Sequence, residues 1–304
     1  MKIMKIAALA LCGIMLLSGC EKDEESSLPH ELTVKNSAAE NEVTAFPVTV
    51  GGALLESSAE RVVSLSPAVT EIIAELGFAD RLCGISAYCD FPEDINTEGV
   101  GSSENPDIEK IISLNPDAVF TLAGLSERDI YTLNAAGIAV PELDAPRSLD
   151  GYSGLYRDIA AFFYGRELID SEKETEKAAL AGNSARSALE AAADVQLESF
   201  VYVTKKLTLA GGNTFESAVL SITGENLCAG EGYCEPQSVG ELSPKYIVAD
   251  NSLTETQLRS NTEIAAMLDS GAVPLFVTAR CFERPTARTA EVFSEISEQL
   301  ADQQ

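Results

Sequence analysis

The chain has no tryptophan, one histidine and few basic residues. His30 is the only imidazole, and 21 lysines and arginines stand against 48 aspartates and glutamates, a formal charge of −27. Because His30 lies in a polar N-terminal segment, the globular part offers no histidine for a catalytic triad or for the His-Glu-x-x-His motif. It also has no Gly-x-Ser-x-Gly elbow and no P-loop, so the sequence predicts that the protein is not an enzyme.

The charge balance also limits the partners. A surface so poor in lysine and arginine is unsuited to binding a phosphate backbone, which excludes nucleic acid as a partner. It is equally unsuited to binding anionic lipid headgroups. A receptor for bare zinc or manganese is disfavoured because such sites favour imidazole ligands. Most of the carboxylates are expected to form a solvated surface that keeps the protein soluble.

The one long apolar run lies near the start of the chain. Residues 6–17 read IAALALCGIMLL and follow Lys2 and Lys5, a pattern too short to cross a bilayer and typical of a signal peptide. Residues 17–20, LSGC, resemble a bacterial lipobox. The resemblance implies a signal peptide over residues 1–19 and a lipid on Cys20.

A polar segment follows the predicted lipidation site. Residues 21–45 are acidic and contain too few bulky apolar side chains to build a core. We therefore interpret residues 20–45 as a disordered acidic tether. Together these segments predict a protein anchored by lipid to the outer face of the bacterial cell membrane.

The cysteines of the predicted mature protein are odd in number. The sequence has seven, namely Cys12, Cys20, Cys83, Cys89, Cys228, Cys234 and Cys281. Five remain after processing and lipidation, which leaves at least one free or intermolecular thiol. The spacing of Cys83 and Cys89, and that of Cys228 and Cys234, would each allow a small disulfide loop, although free thiols are favoured. Neither spacing matches a zinc pattern.

The globular part alternates short apolar strands with helices. RVVSLS (61–66) is β-branched, and in the helix that follows it Ser66 is the predicted N-cap, Pro67 the first residue and Gly77 the C-cap. Further strand candidates are LCGIS (82–86), AVFTL (118–122), AVPEL (139–143), FVYVT (200–204), YIVAD (246–250) and PLFVT (274–278). This alternation predicts an α/β protein with mostly parallel sheets.

One segment holds no strand candidate. From Tyr152 to Ala193 the chain is rich in Ala, Glu, Leu and Lys and lacks proline, which predicts one long linker helix over residues 152–193. The predicted order is an N-terminal lobe at 46–151, this helix, and a C-terminal lobe at 194–304. We call these the N-lobe and the C-lobe.

Two stretches of the N-lobe, residues 61–95 and 105–120, closely resemble substrate-binding proteins of ABC importers for cobalamin and iron-siderophore complexes. Residues 210–227, 236–250 and 282–288 of the C-lobe resemble them less closely. The resemblance implies two Rossmann-like lobes joined by one long helix, with the ligand in a cleft between the lobes. It also implies a receptor that delivers a corrinoid, ferric siderophore or haem to an ABC permease and its ATPase subunits. We expect a monomer without a cofactor of its own.

Candidate ligand contacts lie in loops at the carboxyl ends of the strands, where open α/β sheets bind ligands. They are Tyr88, Cys89, Asp90, Ser103, Glu104, Gly212, Asn213, Glu235, Arg280 and Cys281. Tyr88 matches a tyrosine that lies on the ligand in cobalamin binders of the family. Glu235 stands where those receptors are expected to present a tryptophan. A further hypothesis is that Cys89, Cys234 or Cys281 ligates haem iron or corrinoid cobalt.

Three arginines fall in the segment ARCFERPTAR (279–288). The resemblance places Arg280 in a ligand loop, where it would grip a carboxylate, phosphate or catecholate oxygen, or else form a salt bridge with Asp90 or Glu235. Arg284 and Arg288 are expected to pair with Glu283, Glu291 or loop carbonyls. The last helix is predicted to begin at Pro285.

Two exposed acids are candidate docking residues. In the family a glutamate on the tip of each lobe enters arginine pockets of the permease, and Glu109 and Glu241 match those positions. The alternatives to a chelate receptor are a receptor for another small solute or a bare metal ion, a surface lipoprotein without a transport role, and an enzyme.

Overall fold

The computed structural model describes residues 45–93, 95, 97–166 and 182–302. A four-stranded sheet, a six-stranded sheet and a two-stranded hairpin form one compact unit with the helices packed on them, and the predicted α/β class is confirmed. Cys20, its signal peptide and most of the predicted tether lie outside the described residues. Within the described part, no helix is both long enough and apolar enough to span a membrane.

The N-lobe is built on a parallel sheet of four strands. A hairpin of β1 (Val48–Val50) and β2 (Ala53–Leu55) precedes β3 (Val62–Ser64), β4 (Leu82–Ile85), β5 (Glu98–Gly99) and β6 (Ala118–Phe120). The order across the sheet is β5-β4-β3-β6. The helices are α1 (Pro67–Glu75), α2 (Ile108–Ser113) and α3 (Glu127–Ala135). As predicted, Ser66 is the N-cap of α1 with Pro67 as its first residue. The C-cap is Leu76 rather than the predicted Gly77, which is the next residue and has φ 86°.

The predicted strand AVPEL (139–143) is not formed. Its only ladder contact is an isolated bridge between Ala139 and Ala118 of β6. Pro141 within the segment has no backbone N–H to donate, which limits its ability to continue the sheet.

The predicted linker helix over residues 152–193 is not confirmed. Helix α4 (Leu149–Tyr164) ends at Gly165, whose φ is 83°, and α5 (Ser184–Ala192) begins after a segment that lies outside the described residues. A φ in this region is incompatible with continued right-handed helix and favours glycine. The structure therefore has a break where helix propensity alone predicted none.

The C-lobe contains a mixed sheet of six strands. They are β7 (Glu198–Val203), β8 (Leu209–Ala210), β9 (Gly224–Asn226), β10 (Tyr233–Cys234), β11 (Tyr246–Asp250) and β12 (Val273–Val277). The order is β10-β8-β7-β11-β12, with β9 also paired to β7. Strand β7 pairs in parallel with β9 and β11, and β11 pairs in parallel with β12. Strand β8 pairs antiparallel with β7 and β10.

The C-lobe helices are α6 (Phe215–Leu220), α7 (Glu255–Leu258), α8 (Thr262–Asp269), α9 (Arg280–Glu283) and α10 (Glu291–Ala301). The prediction that the last helix begins at Pro285 is wrong. A short 3-10 turn at Ala287–Ala290 separates Pro285 from α10, which starts at Glu291. Arg280 therefore lies in α9, Arg284 is the C-cap of that helix, and Arg288 lies in the 3-10 turn before α10.

Helix α4 packs between the two lobes. Phe162 of α4 meets Phe120 of the N-lobe sheet edge to face at 4.9 Å between ring centroids, and Tyr152 lies 5.6 Å from the ring of Phe215 in the C-lobe. Phe120, Phe162, Phe200 and Phe293 are fully buried in one shared core. The two sheets are thus joined by apolar packing, which holds their loop-bearing edges in a fixed relation.

Candidate functional site

A cavity of about 1740 Å³ lies where loops from both lobes converge; we call it the large cavity. Its N-lobe wall includes Ser66, two residues after β3, and Leu122, two residues after β6. Its C-lobe wall includes Thr214 before α6 and Phe282 of α9. The carboxyl edges of two sheets therefore face one space, the arrangement in which open α/β sheets bind ligands.

The charge of the large cavity is predominantly negative. Six carboxylates and two cations line it, namely Glu104, Glu142, Asp144, Asp158, Glu216 and Glu283 with Arg147 and Lys205. One of the cations is already engaged, since Lys205 lies 3.6 Å from Glu283. Such a lining attracts cations and amide or hydroxyl donors, and it repels anions.

Two tyrosines with exposed rings line the large cavity. Tyr88 of the N-lobe is 66% exposed and Tyr233 of the C-lobe is 59% exposed. The Tyr233 hydroxyl donates a hydrogen bond of 2.8 Å to Glu216, which orients the ring. Tyrosine offers a flat apolar face together with a polar tip, so the pair is suited to a large planar ligand with polar substituents.

Tyr233 was not among the predicted ligand contacts. Its neighbours Glu235, as a ligand contact, and Cys234, as a candidate metal ligand, were predicted instead. Tyr233 and Cys234 form β10, and the alternation of side chains along a strand gives the two residues opposite directions. The strand is only two residues long, so no alternating pattern in the sequence marked Tyr233.

Four of the predicted ligand contacts line the large cavity: Tyr88, Ser103, Glu104 and Asn213. Gly212 lies beside it, where its carbonyl accepts from the Gly232 amide at 2.8 Å. The neighbouring Gly211 permits this approach, because a Cβ there would lie 2.0 Å from the Gly230 carbonyl oxygen. Glu235 is exposed and is not part of the lining.

Cys89, Asp90, Arg280 and Cys281 are not among the lining residues of the large cavity. The Cys89 sulfur lies 3.1 Å from the Thr70 hydroxyl, and burial raises the pKa of this thiol. Cys281 is buried, with burial raising the pKa of its thiol to about 12. High pKa values keep both thiols neutral at physiological pH, which argues against thiolate ligation by either.

The remaining two residues belong to an ionic contact between the lobes. We call Glu71, Asp90, Arg280, Arg284 and Arg288 the arginine cluster. Arg280 donates to Asp90 at 3.0 Å, the salt bridge that sequence analysis gave as the alternative to a ligand role. Arg284 bonds to both Asp90 and Glu71, the latter at 3.1 Å. The guanidinium of Arg284 lowers the pKa of Asp90.

Glu71 of α1 is the buried centre of the arginine cluster. Its side chain is 1% exposed, and besides Arg284 it accepts from the Thr286 hydroxyl at 3.0 Å. Arg288 lies 3.8 Å from Glu71 and donates to Glu291 at 3.2 Å, a partner that sequence analysis had named. Arg284 also donates to the Tyr88 carbonyl at 3.3 Å, a loop carbonyl as predicted. Its acidic partners Glu71 and Asp90 were not predicted, because both are distant in sequence. The segment 279–288 therefore braces the C-lobe against α1.

The five cysteines of the described chain are all free thiols. Neither Cys83 with Cys89 nor Cys228 with Cys234 forms a disulfide in the structure. No group of three or more Cys, His, Asp or Glu side chains that could hold a metal ion occurs among the described residues.

The two predicted docking acids are exposed on different lobes. Glu109 lies in the first turn of α2, and Asp107 caps that helix by accepting from Lys110 N at 3.0 Å. Glu241 lies in the irregular segment between the 3-10 turn Pro236–Ser238 and β11. Both side chains are therefore accessible to a partner, and their role stays a prediction.

Comparison with known proteins gives a consistent result. Residues 62–252 match the family described as periplasmic binding protein. The chain is 28% identical over 258 residues to the vitamin B12-binding protein of Yersinia pestis (strain Pestoides F), covering 80% of this chain and 87% of that protein.

Two solved structures share the fold. The periplasmic vitamin B12 binding protein of Vibrio cholerae matches with a TM-score of 0.58 and 22% identity, over 81% of this chain and 99% of that one. The periplasmic heme binding protein of the same organism matches with a TM-score of 0.60 and 18% identity, over 79% and 98%.

Proposed function

Because the chain belongs to the periplasmic binding protein family, we propose that it is the extracytoplasmic receptor of an ABC importer and that its ligand is a metal chelate, a corrinoid in preference to haem. The large cavity is the observation that carries the proposal. Its volume of about 1740 Å³ exceeds the roughly 300–1,000 Å³ of common small-molecule pockets. A macrocyclic chelate needs a space of this size.

The negative charge of the lining supports a corrinoid rather than haem as the ligand. Haem brings two propionate groups, which would meet the six carboxylates of the large cavity with only Arg147 and Lys205 to receive them. A corrinoid instead presents amide side chains, whose N–H groups are donors for carboxylates. The names of the similar proteins from Yersinia pestis and Vibrio cholerae are in keeping with this choice.

Tyr88 and Tyr233 are proposed to contact the macrocycle from the two lobes, with Asn213, Ser103 and Glu104 as polar contacts. The arginine cluster is left out of the ligand site, because its guanidinium groups are already paired with Glu71 and Asp90. The proposed ligand set thus keeps Tyr88, Ser103, Glu104 and Asn213 from the predicted contacts and adds Tyr233.

Lipid anchoring and delivery complete the proposal. The LSGC segment supports lipidation of Cys20, which would hold the receptor at the outer face of the cell membrane. The exposed Glu109 and Glu241 are proposed to dock one lobe each on the permease. Two acidic contacts, one on each lobe, would orient the receptor on the permease.

The test is a titration of the chain from Glu21 onward with cobalamin, cobinamide, haem and a panel of ferric siderophores, followed by calorimetry and tyrosine fluorescence. We expect one-to-one binding of a corrinoid, with haem weaker. Tyr88→Ala should weaken corrinoid binding by about tenfold, because one ring contact contributes roughly 1 kcal/mol.

Tyr131→Ala is the matched control, since Tyr131 is 76% exposed on α3 and does not line the large cavity. Preferred binding of haem would overturn the ligand choice. The absence of binding across the whole panel would overturn the assignment to a chelate receptor.

A further inference from the structure

A second cavity, of about 410 Å³, lies within the C-lobe at the carboxyl ends of β7 and β11; we call it the side pocket. Tyr202 of β7 and Asp250 of β11 line it. Lys205, Glu216, Tyr233 and Glu283 line both the side pocket and the large cavity. The side pocket is therefore a branch that opens from the proposed ligand site.

Tyr202 is a buried polar side chain without a partner. It is 2% exposed, and its ring packs edge to face on Phe282 at 5.2 Å between centroids. The structure gives its hydroxyl no hydrogen bond to any described residue, although the hydroxyl of Tyr156, which is also buried, donates to Glu75. The hydroxyl is not one of the enclosed polar atoms that lack a partner. It is therefore open to the side pocket, which Tyr202 lines, and is available there as a contact for a ligand.

Asp250 is buried to a similar degree and is only partly satisfied. It is 5% exposed, and one carboxylate oxygen accepts from the Ser252 amide at 2.8 Å. Among the described residues, no lysine or arginine nitrogen lies within 4.0 Å of its carboxylate. A buried charge is costly without a counter-ion, and the side pocket leaves room for one.

The other groups of the side pocket also favour a cationic ligand. Glu216 and Glu283 add two more carboxylates, and Lys205, one of two lysines there, is paired with Glu283. Burial is the main cause that raises the pKa of Tyr202, and the nearby carboxylates of Glu216, Asp250 and Glu283 raise it further. The hydroxyl therefore stays neutral, and its oxygen can accept a hydrogen bond from a ligand. Lys206 is the other lysine of the lining, so three carboxylates face two cations and the side pocket keeps an excess of one negative charge.

We infer that the side pocket binds a primary ammonium group, with Asp250 as its counter-ion and Tyr202 and Glu216 as further acceptors. An ammonium carries three N–H donors, which matches three acceptors. The group would be either a substituent of the molecule in the large cavity or a separate small amine. The first source rests on the proposed function; the second does not.

The test is equilibrium dialysis of the full chain, in non-ionic detergent, against labelled n-butylammonium. We expect saturable binding, with n-butanol and butyrate at least tenfold weaker as competitors than unlabelled butylammonium. Asp250→Asn should weaken binding at least tenfold and Tyr202→Phe about threefold. Asp302→Asn removes the same charge from an exposed position outside the side pocket and should leave binding unchanged.

Competition by butyrate equal to that by butylammonium would overturn the inference, as would wild-type affinity in Asp250→Asn. If Asp250→Asn does not fold, Tyr202→Phe decides, and unchanged binding in that variant overturns the inference. Displacement of butylammonium by a corrinoid bearing an aminoalkyl chain, but not by the parent corrinoid, would identify the ligand substituent as the source. Simultaneous binding of both would identify a separate amine.

The two proposals fail independently. Saturable butylammonium binding without binding of any chelate would keep the side pocket assignment and remove the chelate function. Binding of a chelate without binding of butylammonium would keep the chelate function and remove the side pocket assignment.

Discussion

Cys281 shows how strongly local environment controls the chemistry of one residue. It is 5% exposed, and burial together with the carboxylates of Glu295 and Glu291 raises the pKa of its thiol from 9.0 to about 12. A thiol reacts and binds metal as the thiolate. The hypothesis that Cys281 ligates a bound metal is therefore disfavoured by its surroundings.

Alkylation measures this directly. At pH 8, a thiol pKa of about 12 in place of 9.0 makes the thiolate fraction about a thousand times smaller. We expect iodoacetamide to label Cys281 in the native protein at least a hundredfold more slowly than in the urea-unfolded chain, as followed by peptide mass spectrometry. Equal rates in the two states would contradict the burial of this thiol.

Individual contacts were predictable only where chain order brings residues together. Tyr88 lies two residues after the predicted strand LCGIS (82–86), so that strand was enough to place it at the carboxyl edge. The partner of Arg280 is Asp90, separated from it by 190 positions, and no local pattern links the two. Sequence reasoning could only name Asp90 as an alternative.

Helix α4 ends at a specific glycine. Gly165 has φ 83°, and a Cβ at this position would lie 2.3 Å from the Ala45 carbonyl oxygen. That carbonyl accepts from the Arg166 amide, at 2.6 Å. The sequence around Gly165 is otherwise favourable for helix, which explains why propensity predicted a continuous element and missed the break.

Gly165→Ala should therefore destabilise the fold by about 1–3 kcal/mol, because it adds both backbone strain and a steric clash. The measurement is urea unfolding followed by circular dichroism. Gly154→Ala is the control within the same helix, since its Cβ would meet only the Arg157 guanidinium, at 3.9 Å. That substitution should be neutral or stabilise by up to about 1 kcal/mol. Equal effects of the two substitutions would refute the role given to Gly165.

Most other elements were predictable because their patterns are local. The strands YIVAD (246–250) and VPLFV (273–277) lie within one residue of their predicted positions. The start of the last helix was predicted at Pro285 because proline suits the first turn of a helix. Residues at this point of the chain contact α1 instead. Tertiary contacts, rather than propensity, decided that boundary.

At the scale of the whole molecule, the arginine cluster joins the lobes beside their shared apolar core. Glu71 is 1% exposed at the side chain and its partner Arg284 is 14% exposed. Loss of one member of a buried ion pair leaves the other charge desolvated. The cluster therefore stabilises the contact between α1 and the segment 279–288.

Glu71→Gln should lower the free energy of unfolding by about 3 kcal/mol. Glu255→Gln is the control, because the Glu255–Arg259 pair lies on the surface with side chains 50% and 41% exposed, and it should cost less than about 1 kcal/mol. Chemical denaturation of the two variants compares them directly. A Glu71 effect no larger than the Glu255 effect would mean that the cluster does not stabilise the lobe contact.

The acidic lining of the large cavity also bears on how fast solutes arrive. Six carboxylates in a concave wall focus their field outward, so a cationic solute is drawn in and an anionic one is slowed during diffusional encounter. Salt screens this field over a distance of about 10 Å at 0.1 M. At low ionic strength, the protein therefore distinguishes cationic from anionic solutes by their association rates, before any contact in the cavity is made.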